Sequence, residues 1–285
     1  LMKQKVVIYW SRRDFRTEDN PALAEALKEA RKENLSFLPI FILEPYMITG
    51  NPKFQFGLPS RYFLSEALPL FAQNFKSFFI IHSQAARFFI EFSKKHDVLI
   101  YVNEDVHPDF YTQLKKLGKH GIEVKLYKDQ LTVNKDTKTG SGNIYSVFTP
   151  FKKAVWMEFI HTKVLRKPSF DDVSFLSHLD TKDISLVEAK SEVIYALFSK
   201  NESLDIEGEV VDLGELALPK RNYKLLYKTE KEAVAHFRKY MKEKLSAYKD
   251  NRDSLELDIT SNMSIALTWG LVCSHAHARR AGAFR

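Results

Sequence analysis

The chain has 285 residues, 45% of them hydrophobic, including 22 Phe and 12 Tyr, which supplies a sizeable core and argues against disorder. No apolar run reaches the ~18 residues of a membrane span, the run Val6–Trp10 is too brief for a signal peptide, and a single cysteine, Cys273, leaves no disulfide framework and points to a reducing compartment. The reading is a soluble protein of cytoplasmic localisation whose net charge of +7 favours an anionic partner, although a solvated lysine-rich surface looks the same.

From the N-terminus, strand and helix signals alternate. Residues 5–10 (KVVIYW), 36–43, 77–82, 98–102 and 122–127 are short apolar, β-branched or aromatic runs, the pattern of parallel strands covered on both faces. Asn20-Pro21 is an N-cap and first-turn pair followed by Leu23, Ala26, Leu27 and Ala30 on one face. Ser60 is placed to cap a helix presenting Leu64, Leu68, Phe71 and Phe75, and Ser83 and Pro108 open two more. Strict alternation predicts an α/β fold with a doubly wound, parallel, five-stranded sheet over residues 1–130. Ligands of such sheets sit at the carboxyl ends of the strands. No G-x-G-x-x-G follows the first strand, where Ser11-Arg12-Arg13-Asp14-Phe15-Arg16 stands instead, so an ordinary dinucleotide loop is not expected there.

Residues 131–228 read as a long interdomain connection. It holds a helix from Thr149-Pro150 with Phe151, Val155, Trp156 and Phe159 on its apolar side, and a second helix around 186–199. At Thr229 a capping box, Thr229 to Glu232, opens residues 229–285 as an incomplete all-α domain. Val234, Phe237, Met241, Leu245 and Tyr248 recur along it at helical spacing, so Tyr248 reads equally as a core tyrosine. Thr260-Ser261-Asn262-Met263-Ser264 then precede a helix-compatible run, where hydroxyls either cap backbone N–H groups or help to cradle a phosphate.

Four stretches together resemble the photolyase/cryptochrome family across nearly the whole chain: YWSRRDFRTEDNPAL at 9–23, YVNEDVHP at 101–108, GNIYSVFTPFKKAVW at 142–156, and the series Tyr248, Arg252-Asp253, Thr260-Ser261 and Ser264. The resemblance implies a Rossmann-like domain that houses a light-harvesting chromophore, followed by a helical domain that binds FAD. Carried over by position, Tyr248, Thr260, Ser261, Asn262, Met263 and Ser264 would contact FAD, and Arg252 would meet the backbone of UV-damaged DNA. It implies a deoxyribodipyrimidine photolyase, in which reduced FAD donates an electron to a flipped-out cyclobutane pyrimidine dimer and recovers it after splitting. A cryptochrome-type light receptor and a stand-alone α/β chromophore or nucleotide carrier are the alternatives.

Two departures bear on this. Asn262-Met263 stand where the family has Arg-Leu, and Asp109-Phe110 stand where folate-binding members keep Asn-Glu. A folate antenna is therefore disfavoured, with a deazaflavin, a flavin or none left open. The family's helical domain also continues past residue 285, so this chain is expected to be an N-terminal fragment, monomeric and inactive alone. No catalytic side chain is assigned. Cys273, His275 and His277 lack a second pair at zinc spacing, and Asp14, Glu18 and Asp19 are expected in loop salt bridges to Arg12, Arg13 or Arg16. Trp10, Trp156 and Trp269 read as packing residues.

Overall fold

The alternation at the N-terminus has a direct structural result: every side chain from Val6 to Trp10 is fully buried, because the strand that holds them is covered on both faces. The structure, a computed structural model, describes residues 3–49, 57–129, 136–161, 164–180, 185–199, 203–206, 209–212, 224–254 and 256–273. In chain order the first part comprises β1 (Gln4–Ser11), α1 (Pro21–Lys32), β2 (Ser36–Leu43), α2 (Pro45–Thr49), α3 (Leu58–Ala72), β3 (Phe79–His82), α4 (Ala85–Lys95), β4 (His96–Asn103), α5 (Pro108–Lys119) and β5 (Val124–Tyr127). It continues through α6 (Phe148–His161), β6 (Ser185–Val187), α7 (Ser191–Ser199), the hairpin β7 (Ser203–Ile206) and β8 (Glu209–Asp212), then α8 (Glu230–Glu243), α9 (Leu245–Asn251) and α10 (Ser264–Thr268).

The main sheet runs β5-β4-β1-β2-β3-β6. Its first five members are parallel, the doubly wound arrangement the alternation implies, with Val7 opposite Phe37 on one side and Leu99 on the other. Period-two alternation splits β1 between two cores. Val7 and Tyr9 face α1 and α3 with Leu23, Leu27, Phe63 and Leu68, whereas Val6, Ile8 and Trp10 face α4 and α5 with Phe89 and Phe110.

Several local details differ from the sequence reading. The segment at 186–199 is not one helix: Ser185–Val187 adds an antiparallel sixth strand to the exposed edge of β3, and the helix begins only at Ser191. The free edge of a parallel sheet accepts any short β-capable segment that reaches it. α7 then places Ile194 and Phe198 in the core, so this part of the connection belongs to the α/β layer. Gly57 rather than Ser60 is the N-cap of α3, since Pro59 fits the first turn and carries the start towards the N-terminus. α4 starts after Gln84, not at Ser83, and its first free N–H groups are taken by distant side chains: Ala85 N donates to Glu44 Oε1 at 3.1 Å and Ala86 N to Gln113 Oε1 at 3.0 Å. The Asn20 cap of α1, with Leu23 N donating to its side chain, and the capping box at Thr229 form as read.

Candidate functional site

At the carboxyl end of β1, where a doubly wound sheet presents its ligands, the chain fills the space with its own polar groups. Asp14, 1% exposed, accepts four hydrogen bonds. Tyr9 Oη (2.7 Å) and Asn103 Nδ2 (2.6 Å) donate to one oxygen, and Ser11 Oγ (2.7 Å) and Arg12 N (2.9 Å) to the other. Asn20 Nδ2 donates in turn to Tyr9 Oη at 2.8 Å, and burial with the neighbouring Asp14 carboxyl holds the Tyr9 phenol well above its ordinary pKa. Asn103 and Asn20 also hold the start of α1 through Ala22 N and Leu23 N.

The ion pairs expected within the loop are in fact made to the ends of other strands. Arg12 Nε pairs with Asp105 at 2.9 Å, and Arg16 with Asp129. Burial would raise the Asp105 carboxyl, but Arg12 and Arg13 together bring it below its ordinary value. Asp14 pairs with no arginine side chain among the described residues, because the sheet presents Asn103 and two hydroxyls to it first. Asp19, at φ 52°, instead accepts from Leu165 N at 2.7 Å. Beside this cluster the Glu44 carboxyl at the end of β2 is pushed up to about 8 by burial, against the pull of Arg12. Tyr46 stacks on His107 with centroids 5.1 Å apart.

This same loop receives the C-terminal segment. Phe15 N donates to Trp269 O at 3.0 Å, Arg16 Nη1 donates to Gly270 O at 3.2 Å, and the Trp269 ring stacks on Phe15 and Phe63. Gly270 has φ +61°, and a Cβ there would lie 2.1 Å from Arg13 O, so only glycine lets the two backbones approach so closely. From α8, Glu230 accepts from the backbone N–H groups of Thr17 (2.9 Å) and Glu18 (3.2 Å), and Lys228 pairs with Glu66 at 2.6 Å. Trp10 packs on Phe89 and Phe110, as a packing residue should, while Trp156 lies at the surface under Lys152.

The run Thr260–Ser264 forms a tight turn ahead of α10. Asn262 adopts φ +52°, a left-handed conformation that asparagine tolerates better than most residues. Its side chain accepts from Thr260 Oγ1 and donates to Asp258 Oδ1, both at 3.1 Å, so Asn262 ties the turn together. Met263 is buried in the main core. The cap role considered for these hydroxyls is not taken up: Met263 is the N-cap of α10 and makes no side-chain cap bond. α10 spans five residues, too few for much of a helix dipole, so any anion contact there rests on the hydroxyls. Among the described residues the hydroxyls of Ser261 and Ser264 have no hydrogen-bond partner, and Ser264 borders a cavity of about 290 Å³ whose wall also includes Pro59, Tyr62, Tyr227, Asn262 and Ile265.

Tyr248 stands on α9, 37% exposed, and among the described residues no hydrogen bond joins it to the 260–264 turn. Arg252 caps α9 with its side chain 60% exposed and 3.8 Å from the Asp253 carboxyl. Arg238, Lys239, Lys242 and Lys249 are exposed along the same two helices, giving Arg252 a basic neighbourhood interrupted by Glu243 and Asp250. The sequence reading missed Tyr227, whose hydroxyl donates to Asn262 O, and His236, whose Nε2 lies 2.9 Å from Ser261 O, since nothing local marks them. Among the described residues no three metal-ligating side chains cluster; His275 and His277, like the side chain of Phe159, lie outside the described residues.

A family model described as DNA photolyase matches residues 7–169, more than half of the chain. The deoxyribodipyrimidine photo-lyase of Alkalihalophilus pseudofirmus is 25% identical over 279 residues, covering 94% of this chain and 52% of that protein. Among solved structures, a cryptochrome from Synechocystis superposes with a TM-score of 0.71 at 18% identity, covering 100% of this chain and 57% of that one. An archaeal photolyase from Sulfolobus tokodaii, solved with two FAD molecules, gives 0.67 at 21% identity, covering 97% and 54%. A bacterial class III photolyase from Agrobacterium tumefaciens gives 0.67 at 20%, covering 98% and 53%. The chain thus spans about half the length of the relatives it matches.

Proposed function

Because the chain belongs to the DNA photolyase family, we propose that it serves a deoxyribodipyrimidine photolyase, contributing the α/β half and one wall of an FAD site, with residues 229–285 as the opening of the helical domain. The Ser261 and Ser264 hydroxyls, with Thr260, Asn262 and Met263 shaping the turn, would hold the cofactor's phosphates and ribityl chain, with Tyr248 as a further contact. Arg252 and the exposed cations of α8 and α9 meet the phosphates of UV-damaged DNA, an interaction that weakens with salt. FAD supplies the light-driven electron for splitting a cyclobutane dimer; the protein's part is to bind and orient.

The observation that carries this reading is the pair of hydroxyls, Ser261 and Ser264, without a partner among the described residues, on a turn whose backbone is otherwise tied down. Tyr248, Leu245, Leu257 and Leu267 all present apolar surface to solvent, which supports the view that these 285 residues alone give one side of the pocket and little photorepair. Asp109, which accepts from Gln113, and the buried Phe110 offer no amide for a folate antenna at the carboxyl edge of the sheet.

The test is an absorption spectrum of the purified chain, with FAD quantified after denaturation. Flavin bound by the wild type and lost in the double variant Ser261→Ala/Ser264→Ala supports the site. A colourless wild type that takes up no added FAD shows that these 285 residues do not bind the cofactor by themselves and favours the α/β chromophore-carrier reading for this chain.

A further inference from the structure

We infer that Tyr227 and His236, neither part of the 260–264 run, are positioning residues that hold this run in its cofactor-ready shape. The inference rests on reading Thr260–Ser264 as the FAD contact. Tyr227 is 3% exposed, with its ring in the main core. Its hydroxyl sits across the turn, donating to Asn262 O at 2.5 Å and accepting from Ala266 N at 3.3 Å. One side chain thus spans the left-handed residue and the first turn of α10. From α8, His236 Nε2 lies 2.9 Å from Ser261 O and so carries the proton of that bond. The two rings lie 5.4 Å apart.

Both anchors act on backbone groups and leave the serine hydroxyls for a ligand. That division matters because Asn262, at φ +52°, occupies a small basin that it leaves easily unless its surroundings hold it. A turn that is competent for only a fraction of the time binds its ligand more weakly by that same fraction. Tyr227 also forms part of the wall of the cavity beside Ser264, so the residue that sets the turn borders the space a ligand would enter. The anchors come from distant parts of the chain, 35 residues before Asn262 and 25 before Ser261, which is why no local pattern reveals them.

The experiment titrates FAD into the 285-residue chain, read by flavin fluorescence, for the wild type, Tyr227→Phe, His236→Ala and His236→Gln, with amide exchange followed across residues 261–266. Tyr227→Phe and His236→Ala are each expected to weaken FAD about three- to tenfold, the worth of one hydrogen bond. Tyr227→Phe is also expected to speed exchange at Ala266. His236→Gln, whose side-chain amide can still donate to Ser261 O, restores affinity, which a merely space-filling role would not produce. A wild type that binds FAD while Tyr227→Phe and His236→Ala bind it equally well overturns the inference and leaves the site intact. A wild type that does not bind FAD overturns the site reading; faster exchange in Tyr227→Phe would then mark the anchors as serving stability alone.

Discussion

Residues 245–257 and residues 263–273 lie in the same stretch of chain, yet they meet opposite environments. In the second group Met263, Ala266, Trp269, Leu271 and Val272 are buried in the main core, and Gly270 is pressed against the loop after β1. In the first, Leu245, Tyr248 and Leu257 lie at the surface, although Leu245 and Tyr248 continue the apolar stripe begun by Val234 and Phe237. α8 ends at Glu243 and, past Lys244, the chain restarts as α9, so the stripe leaves the core at that break. Periodicity therefore identifies a face that wants cover, and the tertiary structure decides which part of it is covered by these residues themselves.

The sharpest way to break this contrast is at Gly270. Gly270→Ala puts a methyl group into the backbone of Arg13 and Asp14 and strains a left-handed position. It is expected to cost about 3 kcal/mol or more, read as a lower urea midpoint; an unchanged midpoint would show that the segment does not dock on the loop. A smaller loss is expected inside the loop itself. Asp14→Asn places an amide donor against groups that already donate, Tyr9 Oη and Asn103 Nδ2 or Ser11 Oγ and Arg12 N. The expected cost is about 1–3 kcal/mol, with exchange at the start of α1 accelerated because Asn103 and Asn20 hold that end. The smallest effect belongs to the outer face. Leu245→Ser, at a side chain 40% exposed, is expected to change stability by less than about 0.5 kcal/mol. A loss as large as that of Asp14→Asn would mean that α9 is packed in solution and would erase the comparison.

Legibility followed the range of the interactions. The Asn20-Pro21 start of α1 and the Thr229 capping box were readable because each is closed within a few residues of itself. The same local logic misplaced the start of α4, where Glu44 and Gln113 arrive from elsewhere to satisfy Ala85 and Ala86. It also assigned the arginines of the first loop to acids nearby, whereas Asp105 and Asp129 reach them from the ends of β4 and β5. The turn at 260–264 was visible as a cluster of hydroxyls, and the departure to Asn262 became intelligible only when its left-handed backbone and its bonds to Thr260 and Asp258 were seen.

By itself, then, the sequence determined the alternation that makes a doubly wound parallel sheet, the helix starts closed by local caps, and the residue types from which a cofactor grip and a basic face can be made. Those features rest on short-range sterics, on hydrophobic period and on the intrinsic chemistry of side chains. Only the tertiary structure decided that β6 completes the sheet edge, that Trp269 and Gly270 are locked to the loop after β1, and that Tyr227 and His236 hold the hydroxyl turn. Each of these joins residues far apart in the chain, and such contacts depend on where the packed layers bring backbone groups within hydrogen-bonding reach.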